Sequence, residues 1–202
     1  MESETIEFET SDNVALTGDL AEPALVRATA IVCHPHPQFG GDRFNPVVDA
    51  LVCALVEVGV AALRFDFRTE FDGGRGERLD AEAALRELRG RFPDVASLAT
   101  GYSFGAMVVL SLDDDALFGK VLVAPPLGRS SDDVTCGTPT LVLTPAHDQF
   151  ASPDVTEPVV RTWANAELEV VESADHFLVG RAAAAAERGA AWVDRRLSRA
   201  DH

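Results

Sequence analysis

The sequence predicts an α/β domain: a mostly parallel sheet with helices on both faces, opened by an antiparallel hairpin. Three observations carry this. From residue 28 onward, short apolar runs alternate with segments of helical period. Ahead of them, two alternating runs are joined by a turn signal. At 202 residues and 47% hydrophobic, the chain is long enough for one sizeable core and short for two, so 1–202 reads as a single domain.

The elements follow in order. Residues 5–10 alternate as a half-buried strand does, Asp12-Asn13 signals a turn, and 14–20 supplies the hairpin partner. Residues 28–33 read as a buried strand, 47–58 as a helix and 60–67 as a strand. The helix over 77–91 sets Leu79, Ala83, Ala84, Leu85 and Leu88 among charges, an amphipathic face. Strands follow at 95–102, 121–124, 139–145 and 168–171. The alanine-rich stretch from Ala182 is a helix rather than a linker, because Trp192, Val193 and Leu197 continue its apolar side. Alternation of this kind buries a parallel sheet on both faces. The connection 125–139 is too short for a helical lid of normal length, so no cap domain is expected. The cleft should be open, with Phe39, Phe71, Pro126, Leu127 and Phe150 as its apolar walls or, equally, as ordinary core.

The most informative motif is Gly101-Tyr102-Ser103-Phe104-Gly105, between a strand and a helix. A serine at the apex of so tight a turn has a strained backbone, and the following helix must pack close to the strand. Glycines two before and two after remove Cβ atoms that would clash. The hydroxyl then stands above the sheet, exposed, at a helix start whose dipole favours a developing anion. By itself G-x-S-x-G is a weak pattern that a capping serine also satisfies. Its weight comes from its partners, whose chain order in such sites is serine, acid, histidine.

Asp148 lies just past the strand 139–145, and His176 lies in the loop after the strand 168–171. Catalytic groups of open α/β sheets collect at such carboxyl ends. Serine needs a base to take its proton, histidine titrates in the right range, and an aspartate fixes the imidazole tautomer. Alternatives stay open: Asp148 as a helix cap before Pro153, His147 as the functional residue there, Asp175 as the acid, and His176 as a surface histidine. Asp175 ranks below Asp148 because adjacent side chains rarely reach the geometry of an acid–histidine pair.

An oxyanion hole needs two backbone donors. One is the N–H of Phe104, directly after the serine; the other belongs to the loop after the strand 28–33, His34-Pro35-His36-Pro37-Gln38-Phe39-Gly40-Gly41. Pro35 and Pro37 have no N–H, which leaves His36, Gln38 and Phe39, with His36 nearest the strand end. The His34-x-His36 pair could suggest a metal site, but no third ligand of fitting spacing is near, so neither metal nor cofactor is expected.

In these segments the chain resembles the small, uncapped serine hydrolases of the α/β-hydrolase superfamily, near the dienelactone-hydrolase-like and acyl-peptidase-like branches. The resemblance rests on His34-Pro35-His36-Pro37 with Gly40-Gly41, Leu63-Arg64-Phe65-Asp66-Phe67-Arg68, Phe71-Asp72-Gly73-Gly74-Arg75-Gly76-Glu77, the elbow at Ser103, and Ala174-Asp175-His176-Phe177, which span most of the chain. It implies the α/β-hydrolase fold, Ser103, Asp148 and His176 as a triad, His36 and Phe104 as oxyanion donors, and a small-molecule acyl substrate. Esterase, peptidase and acyltransferase chemistry share such a triad, and a non-catalytic binding module could keep the fold. One departure is the short connection Arg68-Thr69-Glu70-Phe71, where relatives carry a longer glycine- and serine-rich loop.

Composition excludes other classes. With 33 acidic residues against 17 basic ones the net charge is −16, which disfavours nucleic acid. Lys120 is the sole lysine, and an acid-rich, lysine-poor chain suggests a high-salt interior where self-repulsion is screened. Three cysteines, Cys33, Cys53 and Cys136, do not form an even framework and read as reduced thiols in a cytoplasm. The acidic start and the lack of a long apolar run predict no signal peptide and no membrane partner. The sequence leaves the oligomeric state open.

Overall fold

The computed structural model describes residues 2–127 and 136–200. The elements run β1 (Glu4–Glu9), β2 (Ala15–Ala21), β3 (Ala28–Cys33), α1 (Pro46–Glu57), β4 (Val60–Phe65), α2 (Arg75–Arg91), β5 (Ala96–Tyr102), α3 (Phe104–Leu110), β6 (Leu117–Val123), β7 (Thr140–His147), α4 (Pro153–Val160), β8 (Ala166–Asp175) and α5 (Ala182–Ala200). They form an 8-stranded sheet of order β1-β2-β4-β3-β5-β6-β7-β8. β1 pairs antiparallel with β2, and β2 antiparallel with β4; every other ladder is parallel. The hairpin turns where Asn13 takes a positive φ of 63° and Thr10 Oγ1 accepts the Val14 N–H at 2.9 Å.

Two cores flank the sheet. One packs α2, α3 and α4 on one face, through Leu85, Leu88, Val109 and Val160; the other packs α1 and α5 on the opposite face, through Leu51, Leu55, Trp192 and Val193. The inner strands β3 and β6 are almost wholly buried, so they read as unbroken apolar runs; edge strand β1 alternates. Each fully buried leucine contributes about 1.5–3 kcal/mol, which is why the alternation of the sequence is enough to set this layering.

Of the boundaries that shift from the sequence reading, such as β6 starting at Leu117 rather than 121, two bear on the site. β4 ends at Phe65 rather than 67, because the Phe67 N–H leaves the ladder and donates to His34 Nε2 at 3.0 Å. β8 continues to Asp175, so Asp175 lies opposite His147 in the ladder rather than in a loop.

The topology also fixes where a site can form. From β3 the chain leaves to α1 on one face, and from β5 it leaves to α3 on the other. The strand order reverses between these neighbours, so a crevice opens beyond their carboxyl ends. The far end of α3 is tied down by Lys120, whose Nζ donates to Leu112 O at 2.6 Å and Leu110 O at 3.3 Å. A cation at a helix C-terminus is stabilising, by up to about 2 kcal/mol when partly buried. Burial pushes this ammonium below its usual pKa, against the pull of Cys136, Asp113 and Asp114.

Among the described residues no helix is inserted between β6 and β7; residues 128–135 of that connection lie outside the described residues. No helix among the described residues is long and apolar enough to cross a membrane. All three cysteines are free.

Candidate active site

The elbow follows from two glycines. A Cβ on Gly101 would stand 2.4 Å from the Gly105 carbonyl group, and one on Gly105 would stand 2.3 Å from Cys33 O and 2.5 Å from His34 O. The second contact goes beyond the local turn: only glycine lets the start of α3 rest on the backbone where β3 enters the His34–His36 loop. Ser103 pays for this with φ 53° and ψ −116°, in the left-handed half of the map where a non-glycine residue costs about 1–3 kcal/mol. Its N–H donates to Val123 O at 2.9 Å, and its carbonyl accepts from Ala106 at 3.0 Å and Met107 at 3.2 Å, which hold it there. Ala124, Ser173 and Leu178 also have positive φ, the first just after β6, the second within β8 and the third shortly after it.

Ser103 Oγ is 2.9 Å from His176 Nε2, and His176 Nδ1 is 2.8 Å from Asp148 Oδ2. The histidine and aspartate side chains are only 7% and 0% exposed, whereas Ser103 is half-buried rather than fully exposed. Asp148 Oδ1 accepts the N–H groups of Phe150 at 2.7 Å and Ala151 at 3.0 Å, so the carboxylate is braced on both oxygens. This separates the candidates left open above. Asp148 is not the cap of α4, a place taken by Ser152. His147 and Asp175 are exposed, and the side-chain partner of Ser103 Oγ is His176 rather than either of them.

The sequence reading missed two neighbours. Tyr102 Oη donates to His176 O at 2.8 Å, and burial pushes the phenol up to about 12, so at neutral pH it stays a donor. Gln149 Oε1 accepts the His176 N–H at 3.5 Å. The available signal was that Tyr102 is the only tyrosine, placed in an otherwise apolar strand end.

On the opposite side of Ser103 stands the His36 loop, drawn into a 3₁₀ turn over Pro37–Phe39. The His36 ring lies 4.9 Å from Phe104, 4.5 Å from Phe71 and 4.8 Å from Phe39, centroid to centroid. The carbonyl of His36 accepts from Phe39 and Gly41, while the His36 N–H meets no acceptor among the described residues. The Phe104 N–H, at the first position of α3, has no intrahelical acceptor. Gln38 is spent differently: its N–H donates to His36 Nδ1 at 3.3 Å. His34 is structural. It is buried, accepts from Phe67 through Nε2 and therefore donates Nδ1–H to Pro35 O at 2.6 Å, lacing β3 to the end of β4. Among the described residues no group of three or more His, Cys, Asp or Glu side chains is arranged to hold a metal ion.

The short connection after Arg68 keeps Phe71 against His36 and Phe104. Buried Glu77 fastens it by accepting the N–H groups of Asp72 at 3.0 Å and Gly74 at 2.8 Å. Beside it a cleft of about 370 Å³ runs between Gly73, Gly74, Arg78, Phe104 and Met107. A larger cleft of about 480 Å³, lined by Leu25, Arg27 and Gly59, lies at the amino ends of β3 and β4, away from Ser103. Of the residues read as apolar wall or core, Leu127 is a member of the core under α2 and α3, because the chain turns inward after β6. Phe39, Phe71 and Phe150 do stand on the loops around Ser103.

No protein-family model matches the chain. An uncharacterized protein of Rickettsia prowazekii is 31% identical over 168 residues, 73% of this chain and 71% of that one. Among solved structures, an α/β serine hydrolase without a lid from Xanthomonas campestris superposes with a TM-score of 0.84 at 28% identity, covering 94% of each chain. An α/β serine hydrolase homologue from Coxiella burnetii gives 0.85 at 27% identity, covering 94% of this chain and 98% of that one.

Proposed function

We propose that the chain, which shares its fold with an α/β serine hydrolase without a lid and with an α/β serine hydrolase homologue, hydrolyses carboxylic esters through an acyl-enzyme on Ser103. The observation that carries this reading is the unbroken chain of short contacts from Ser103 Oγ through His176 to Asp148. His176 Nε2 takes the hydroxyl proton as Oγ attacks the ester carbonyl carbon. The imidazolium so formed is stabilised by Asp148, whose remaining oxygen is already saturated by two backbone N–H groups and so holds one orientation. The negative charge on the carbonyl oxygen goes to the amides of Phe104 and His36, neither of which meets an acceptor among the described residues. Collapse expels the alcohol, which receives the proton from Nε2, and a water molecule repeats the sequence to release the acid. No metal or cofactor is needed at any step.

A fluorophosphonate probe tests the reading. It should label Ser103 in the wild type, be slowed by an excess of ester present during labelling, and fail to label Ser103→Ala. Absence of labelling in the folded wild type would leave a binding module on this fold.

A further inference from the structure

The loops that carry the acid and the histidine leave large apolar side chains in water. Phe150, two residues after Asp148, is 37% exposed; Phe177, next to His176, is 57% exposed, and Val179 is 80% exposed. None of the three belongs to either core. Their arrangement is ordered. The Phe150 ring stands edge-on to His176 at 4.6 Å, the Phe177 ring stands at 86° to it at 5.7 Å, and the two phenyl rings meet at 84° and 6.5 Å. Together they make a right-angled aromatic corner beside the imidazole.

Reaction chemistry says what must enter that corner. The Ser103 Oγ–carbon bond forms, the bond from the carbonyl carbon to the alcohol oxygen breaks, and the proton held on Nε2 passes to that oxygen. The alcohol oxygen therefore has to come within about 3 Å of Nε2, and its carbon skeleton has to continue past the imidazole. The oxyanion points the other way, to Phe104 and His36. Resting on the hydrolase reading above, we propose that Phe150 and Phe177 form the leaving-group subsite, and that the chain prefers esters of neutral aromatic alcohols to esters of small ones. Anionic alcohols are disfavoured by the exposed carboxylate of Asp175, next to His176 in the chain, and by the net charge of −16.

Methyl and benzyl esters of one short acid separate the subsite from intrinsic reactivity, since their alcohols are of similar acidity. In the wild type kcat/KM for the benzyl ester should exceed that for the methyl ester by about tenfold or more, the scale of a filled apolar subsite. Phe177→Ala and Phe150→Ala should each lower the ratio by about three- to tenfold. Leu25→Ala, on an exposed residue at the other end of the strands, should leave the ratio as it is. A wild-type ratio near one, or a ratio unmoved by both phenylalanine variants, overturns the subsite. Labelling of Ser103 by the fluorophosphonate in the same preparations separates the two failures. Labelled enzyme without alcohol preference refutes the subsite alone, whereas unlabelled enzyme inert to both esters refutes the hydrolase reading and the subsite with it.

Discussion

Asp148 and Asp80 are both carboxylates with fully buried side chains, each accepts three hydrogen bonds from the chain, and they are put to different uses. Asp148 takes two backbone N–H groups and the His176 ring. Asp80 takes the backbone N–H, Nε and Nη2 of Arg68, whose remaining face is held by Asp12. Burial pushes the Asp80 carboxyl above its usual pKa despite the guanidinium beside it, and Arg68 is pushed above its own. The difference lies in the partner. Arginine keeps its proton, so Asp80 can only pin the connection after β4. Histidine exchanges its proton near neutrality, so the same degree of bracing becomes a means of orienting a base. Burial and saturation make a carboxylate a strut; a titratable partner within reach of a nucleophile makes it a candidate for catalysis.

The sharpest test of this contrast is Ser103→Ala. Ester turnover should fall by several orders of magnitude, up to about 10⁶, while the melting temperature stays close to wild type, because alanine keeps the turn. Equal turnover in variant and wild type would remove the chemical half of the comparison. Next in size, Asp148→Asn should cost about 10⁴ in kcat through the wrong imidazole tautomer, and Asp175→Asn should cost far less. The opposite ranking in steady-state assays would give the role to Asp175. Asp80→Ala reverses the pattern: it strands Arg68 and should cost about 3–5 kcal/mol of stability. Denaturant midpoints measure it, and an Asp80→Ala protein as stable as wild type would show that Arg68 is satisfied by Asp12 alone.

Salt separates buried pairs from the surface charge around them. The pairs of Arg68 with Asp80 and of Arg43 with Asp19 are largely shielded from solvent and little screened, whereas the net charge of −16 is not. Since the Debye length falls from about 10 Å at 0.1 M to about 3 Å at 1 M, melting temperature and activity should rise between about 0.1 and 2 M KCl. Exposed ion pairs predict the reverse, so a flat or falling series of melts would leave an ordinary acidic protein.

The smallest effect concerns pH. Burial holds His34 below its usual pKa, outweighing the Pro35 carbonyl and the Asp66 and Asp42 carboxylates, and His36 is lowered by burial too. A base with a lowered folded pKa binds fewer protons folded than unfolded. Its full contribution is therefore present above the unfolded value, about 6.5, and is lost as pH falls from there through the folded value. Melts from pH 8 to 5 should decline below about 6.5, and His34→Asn should flatten the decline.

Local sequence determined which segments become strands and helices, because apolar periodicity and turn residues act over a few positions. It determined the elbow, since Gly101 and Gly105 admit a bend that no Cβ would allow, and it ordered the serine, acid and histidine along the chain. Tertiary structure decided everything that depends on which distant backbones meet. The choice between Asp148 and Asp175 came from burial: in the ladder of β7 and β8, Asp175 is opposite His147 and both face solvent, while Asp148 turns inward. Leu127 went to the core and His34 to the lacing of β3 and β4, where sequence left wall and core equally open for the one and offered a histidine pair for the other. Tyr102 reaching across to the His176 carbonyl was invisible for the same reason. A side chain's partners are set by the order of strands in the sheet, β4-β3-β5, and no local pattern in the chain encodes that order.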